Sequence, residues 1–143
     1  MDNSKIAADL RMVISKIYKK LSKEMQSSNN LSLTEIITLS HLYNQQTHTP
    51  SELAVLLKVK TQSMSEVLVR LQKLHLIQKN PAEDDKRKTA ITLTSNGRQL
   101  VEQTRQERDE WLINAIKQQL DEDEKKLLAK AVLLIEKIAE QQK

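Results

Sequence analysis

The segment Thr49–Leu93, TPSELAVLLKVKTQSMSEVLVRLQKLHLIQKNPAEDDKRKTAITL, decides how the rest of the chain is read. It opens on Thr49-Pro50-Ser51-Glu52. The threonine hydroxyl can accept from an orphan N–H, proline suits the first helical position, and Glu52 can reach back to complete a capping box. A short helix over Leu53-Ala54-Val55-Leu56-Leu57 then runs into Lys58-Val59-Lys60. Beyond it, Met64, Val67, Leu68 and Leu71 recur at three and four residues, the buried stripe of a second helix. Thr61, Gln62, Ser63, Ser65, Glu66, Val69 and Arg70 are left on its other sides. Short hydrogen-bonding side chains at an exposed helix N-terminus are what base edges in a DNA major groove can meet.

Two β-compatible runs follow, Leu76-Ile77-Gln78-Lys79 and Thr89-Ala90-Ile91-Thr92-Leu93-Thr94, the second with Ile91 and Leu93 on one face and Thr92 and Thr94 on the other. The loop predicted between them, Asn80 to Lys88, is polar and ends in three consecutive cations, Lys86, Arg87 and Lys88. Such a tip does not belong in a core. It suits a phosphate backbone, or a minor groove whose negative potential draws arginine. Helix, turn, helix and hairpin in this order make a winged helix-turn-helix.

Asp85-Lys86-Arg87-Lys88-Thr89-Ala90-Ile91-Thr92-Leu93-Thr94, followed by Gly97-Arg98, resembles the wing signature of the multiple-antibiotic-resistance regulator (MarR) family. That signature pairs an aspartate and an arginine two apart with a strand ending Leu-Thr and a nearby glycine. Leu31-Ser32-Leu33-Thr34, Thr49-Pro50-Ser51-Glu52-Leu53-Ala54 and Leu71-Gln72-Lys73 also sit where that family has similar residues, so the resemblance covers nearly the whole chain. It implies one domain over 1–143, mostly α with a small β wing. Residues 32–93 would form the DNA-binding winged helix-turn-helix, and 4–25 with 95–143 the helices of a dimerisation platform. The implied function is that of a homodimeric regulator, a repressor, reading a pseudo-palindrome in double-stranded DNA. Two recognition helices would enter successive major grooves roughly 34 Å apart. The counterpart of Arg87 reaches the minor groove in that family, with Asp85 placed to orient it.

The DNA-binding set expected from these readings is therefore Thr61, Gln62, Ser63, Ser65, Arg70, Lys86, Arg87 and Lys88, with Asp85 orienting the wing. Three positions depart from the family pattern. Glu66 stands where many members carry a basic residue, and it repels phosphate while being able to accept from a cytosine amino group. Lys60 stands where a capping serine is common. His75 occupies the exit of the recognition helix, where glycine is common and a left-handed backbone is expected. The resemblance also implies a small-molecule effector of unknown identity between platform and reading head. Arg11, Tyr18 and Tyr43 are its candidate lining, although ordinary packing and surface charge account for each more simply. Aromatics are only 2% of the chain and Phe is absent, so an aromatic cage has little to build from.

Outside the reading head, residues 4 to 25 place Ile6, Leu10, Val13, Ile14, Ile17, Tyr18 and Leu21 on one broad face, opposite Lys16, Lys19, Lys20 and Lys23. Such a face needs a partner surface. Gln26 to Asn30 breaks the pattern, and Ser32-Leu33-Thr34-Glu35 is a second capping box. Asn44 to His48 is expected as a polar connector. Thr94 can cap a long helix to about Gln119, with Gly97 in its first turn permitting close approach by a neighbouring element. Asp121 with Glu124 forms a third box, opening a final helix whose apolar face carries Leu127, Leu128, Ala131, Leu134, Ile135, Ile138 and Ala139.

Composition narrows the alternatives. A chain of 143 residues can bury a core without disulfides or metals. With no cysteine there is no thiol nucleophile, thiolate ligand or thiol redox switch. A single glycine and two prolines favour a mostly helical chain. The net charge of +4 suits nucleic acid, and residues 49–93 hold eight cations against five anions. The amino terminus lacks an apolar signal region and no run approaches the roughly 20 residues that span a bilayer, so a cytoplasmic protein is expected, without a membrane partner. His41, His48 and His75 are too few and too scattered for a zinc site, and are expected at the surface or at helix ends. No cofactor and no metal are expected, and no catalytic constellation is in view. The alternative reading is a winged-helix module that binds protein and not DNA, although such a module has no need of Lys86-Arg87-Lys88.

Overall fold

The computed structural model describes residues 2–27, 30–45 and 47–142, the side chains of 25–27 excepted. Six helices and one hairpin are seen there: α1 (Asn3–Ser27), α2 (Leu33–Asn44), α3 (Pro50–Leu57), α4 (Thr61–Lys73), β1 (Ile77–Pro81), β2 (Thr89–Leu93), α5 (Ser95–Gln119) and α6 (Glu122–Ala139). The expected winged helix-turn-helix is present. Two compact units divide the chain, Met1–Arg108 and Asp109–Lys143.

Three of the helix starts follow from the same local chemistry. Ser32, Thr49 and Asp121 each take an extended backbone as N-cap, accept from the N–H of the residue three on, and receive the matching glutamate in return, Glu35, Glu52 and Glu124. Thr94 starts α5: its Oγ1 accepts from Gly97 N at 3.0 Å and donates to the carbonyl of His75 at 2.6 Å. That hydroxyl ties the residues just past α4 to the start of α5.

The core of the first unit is built from one stripe each of α2, α3 and α4 and from the two strands. Leu39 and Leu42 of α2, Leu53 of α3, Met64, Leu68 and Leu71 of α4, Ile77 of β1 and Ile91 of β2 are almost wholly buried. Val67, expected in that stripe, is only half-buried against it. In the second unit α6 buries no residue, and Leu127, Leu133, Leu134 and Ile138 stand exposed, as does Ile113 of α5. On α1 the same holds for Ile6, Val13, Ile14, Ile17 and Tyr18.

Several expectations shift. The helix of 4–25 extends through Ser27, while Ser28 and Asn29 of the expected break lie outside the described residues. The hairpin is displaced toward the loop: Asn80 and Pro81 continue β1, paired with Ala90 and Thr89, in an antiparallel register that begins at Ile77 opposite Leu93. Both strands of a two-stranded sheet are edges, where a residue without an N–H is tolerated. The loop is therefore the shorter stretch from Ala82 to Lys88, closed by Ala82 N to Lys88 O at 2.9 Å. Finally, His48 is buried and not at the surface. Its backbone exchanges two hydrogen bonds with Ile91, at 3.2 and 2.7 Å, which turns the side chain inward. A Glu52 carboxylate oxygen lies 3.8 Å from its Nδ1.

Candidate nucleic-acid interface

The recognition helix α4 presents what its periodicity dictates. With Met64, Leu68 and Leu71 fixed inward, Thr61, Gln62, Ser63, Ser65 and Glu66 are all exposed in its first two turns. The turn that feeds it is tight: Lys58 caps α3 in the left-handed region at φ 55°, and its N–H bonds back to Ala54 and Val55. Lys60 is the N-cap of α4 and supplies no side-chain cap. The first-turn N–H groups of α4 are thus not consumed by a capping side chain, and a helix start of that kind favours anions.

At the exit, His75 adopts φ 61°, the left-handed conformation expected there. Leu76 follows with its N–H on Leu71 O and its carbonyl accepting from Thr94 N. The chain then enters the hairpin.

The hairpin tip organises its own cation. Asp85 Oδ1 accepts from the backbone N–H of Arg87 at 3.0 Å and from its Nε at 3.2 Å, while Oδ2 accepts from Nη2 at 3.4 Å. Both carboxylate oxygens are engaged by one guanidinium, a fork-to-fork arrangement that fixes direction as well as charge. These bonds, the side-chain pair first and the backbone bond second, hold the Asp85 carboxyl below its ordinary pKa. The Arg87 side chain is nonetheless 91% exposed, so its charge is aimed outward from a held stem. Lys86 and Lys88 flank it and are exposed.

Arg70, expected as a DNA contact, has a half-exposed side chain that is engaged by groups of the chain itself. Its Nη1 donates to Glu35 of α2 at 3.2 Å and its Nη2 to the carbonyl of Asn30 at 3.0 Å. No local sequence signal announces this partner, which is 35 positions away. Tyr43 is engaged as well. Arg105 and Arg98 of α5 lie over its ring at 4.2 and 5.1 Å, its hydroxyl donates to Glu102 Oε1, and Arg105 Nη2 donates to Asn44 Oδ1 at 2.8 Å. Arg11 and Tyr18 are exposed on α1, and no hydrogen bond or ring contact among the described residues joins them to Tyr43. The sequence reading missed the arginine pair over Tyr43, whose spacing of seven along α5 could have hinted at one shared face.

Comparison with known proteins adds to this geometry. The sequence profile of the family described as Transcriptional regulator SarA/Rot matches residues 16–104. The HTH-type transcriptional regulator ML2140 of Mycobacterium leprae (strain TN) is 26% identical over 133 residues, covering 93% of this chain and 92% of that protein. Wild-type MarR of Escherichia coli in its apo form shares the fold with a TM-score of 0.74 at 24% identity, over 96% of this chain and 97% of its own. A variant of MepR from Staphylococcus aureus, bound to an oligodeoxyribonucleotide, aligns with a TM-score of 0.70 at 25% identity, over 95% of this chain and 98% of its own.

Proposed function

Because the chain belongs to the MarR/SarA family of winged-helix transcriptional regulators, we propose that it acts as a homodimeric repressor of the cytoplasm that reads a pseudo-palindromic operator. The family is one of DNA-binding regulators and not of enzymes. In this reading Thr61, Gln62, Ser63 and Ser65 face base edges and the open start of α4 meets phosphate. Arg87 enters the adjacent minor groove with Lys86 and Lys88 on the backbone. The observation that carries the reading is the arginine of the wing: a guanidinium paired through Nε and Nη2 with Asp85 yet 91% exposed is open to a partner outside the chain.

The homodimer rests on α1 and α6. Ile6, Val13 and Ile17 share one face of α1, and Leu127, Leu134 and Ile138 share one face of α6, at intervals of seven and four. Apolar rows of this kind left in water are costly, and a second copy covers them. We assign residues 4–25 and 95–143 to that role and 32–93 to the reading head. No helix among the described residues is long and apolar enough to cross a membrane.

The test is selection of binding sites from fragmented genomic DNA at near-physiological salt, with wild type and Arg87→Ala side by side. A two-fold symmetric site that the variant loses is the expected result. No enrichment across a salt series would overturn the reading in favour of a protein-interaction module.

A further inference from the structure

The ion pair between α4 and α2 has no place in a simple list of DNA contacts. Glu35 is 3% exposed, so its charge is held in the protein and not in water. A buried carboxylate is tolerated only when it is paired and hydrogen-bonded. Its Oε1 does two tasks at once, accepting from Ser32 N at 2.8 Å to close the capping box of α2 and from Arg70 Nη1 at 3.2 Å. The second arm of the same guanidinium, Nη2, is spent on the carbonyl of Asn30 in the turn that precedes α2. Arg70 therefore binds the start of α2 at two points from one planar fork, a geometry a lysine ammonium does not reproduce.

The alternative partner was closer in sequence. Glu66 stands one turn earlier on α4, in the order that favours a Glu-to-Arg pair along a helix. Among the described residues the ion-pair partner of Arg70 is Glu35 instead. The guanidinium thus fastens the helix to its neighbour and does not decorate its own surface.

We propose that Arg70 is a positioning residue of the reading head and not a DNA contact: through Glu35 and the Asn30 carbonyl it sets the angle at which α4 presents Thr61 to Ser65. The inference rests on the DNA-binding reading above. Arg70 lies in the last turn of α4, eight residues or roughly 12 Å of helix from Gln62. Over that lever a tilt of about 5° displaces the reading side chains by about 1 Å, enough to take a hydrogen bond out of range.

Arg70→Ala, Arg70→Lys, Glu35→Gln and the double variant Arg70→Ala/Glu35→Gln would be compared on one operator over a range of salt. Arg70→Ala is expected to bind about tenfold more weakly with the salt slope unchanged. Glu35→Gln, which keeps an acceptor for the cap but lacks the charge, is expected to weaken binding several-fold. The double variant should be no worse than Arg70→Ala, and Arg70→Lys should recover only part of the loss. Amide hydrogen exchange of the free proteins supplies a readout without DNA: both single variants should exchange faster in α4, with β1 and β2 unchanged. Wild-type failure to bind any DNA would count against the function alone, because the exchange pattern would still judge the latch. A salt slope lowered by about one phosphate equivalent in Arg70→Ala, with Glu35→Gln binding as wild type, would overturn the proposal and return Arg70 to the contact list. Unchanged exchange in α4 of Glu35→Gln would overturn it as well, even if Arg70→Ala failed to fold.

Discussion

Gly97 lies with its α-carbon against the carbonyl of Leu76: a Cβ built at residue 97 would overlap Leu76 O and stand 3.1 Å from Leu93 Cδ2. The first turn of α5 and the exit of α4 therefore touch backbone to backbone. The obstacle is a carbonyl whose neighbour His75 is already in a strained conformation, so the contact has little room to relax. Gly97→Ala is expected to destabilise the protein by about 2–3 kcal/mol, the cost of forcing a methyl into a filled site. Urea denaturation measures it, and a loss below about 0.5 kcal/mol would mean that the two segments separate easily.

Arg87→Ala should weaken operator binding by about 1–3 kcal/mol with the melting temperature unchanged. Asp85→Asn keeps the guanidinium and removes the carboxylate that directs it, so a smaller loss in the same direction is expected. Fluorescence anisotropy with a labelled duplex would compare them. Equal affinity for all three proteins would remove the wing tip from the interface.

The pH dependence of that tip follows from the sign of the Asp85 shift. Its carboxyl is held below the ordinary value by Arg87, so the pairing is present above the unfolded-state pKa and is lost as pH falls through the lower folded one. The Arg87 Nε–H resonance should stay flat from neutral pH down to about pH 5 and move only below the usual carboxylate range. An inflection above that range would show that the pair is not formed in solution.

His75→Gly places the permissive residue where the backbone is left-handed at φ 61°. Relief of the αL cost, about 1–2 kcal/mol, outweighs the extra entropy of glycine, about 0.5–1 kcal/mol. A gain of roughly 0.5–1 kcal/mol is expected in thermal unfolding. Destabilisation instead would mean that the imidazole makes a contact worth more than the strain.

The exposed row on α6 predicts its own oligomeric consequence. Leu134→Glu with Ile138→Glu removes two apolar side chains, each worth about 2 kcal/mol when covered, and adds charge. Sedimentation velocity should show the wild type as a dimer and the variant as a monomer at the same micromolar concentration. A variant that stays dimeric would place the interface elsewhere.

What was legible in the sequence is what lies within four residues of its cause. The boxes Ser32 with Glu35, Thr49 with Glu52 and Asp121 with Glu124 could be read directly, because a cap needs only an oxygen and a glutamate three positions on. The strained turn at His75 and the close approach at Gly97 were readable for the same reason, each resting on the backbone freedom of one residue. The hairpin was located but its loop drawn too long, because Pro81 reads as a breaker unless the strand is known to be an edge. The intramolecular partners of Arg70 and Tyr43 were not legible, since Glu35 and Arg105 lie 35 and 62 positions away. The burial of His48 likewise turns on a single rung with Ile91, which leaves no period to detect.

Thr94 narrows what this chain can become. One hydroxyl donates a hydrogen bond to the His75 carbonyl and accepts one from the Gly97 amide, so position 94 must supply a donor and an acceptor at the same point. Serine is the one small replacement that meets both demands. Valine, although equal in shape, strands two polar groups, and an ionised aspartate sets a negative charge against the His75 carbonyl. Whatever changes on the exposed face of α4, this joint is held to a hydroxyl.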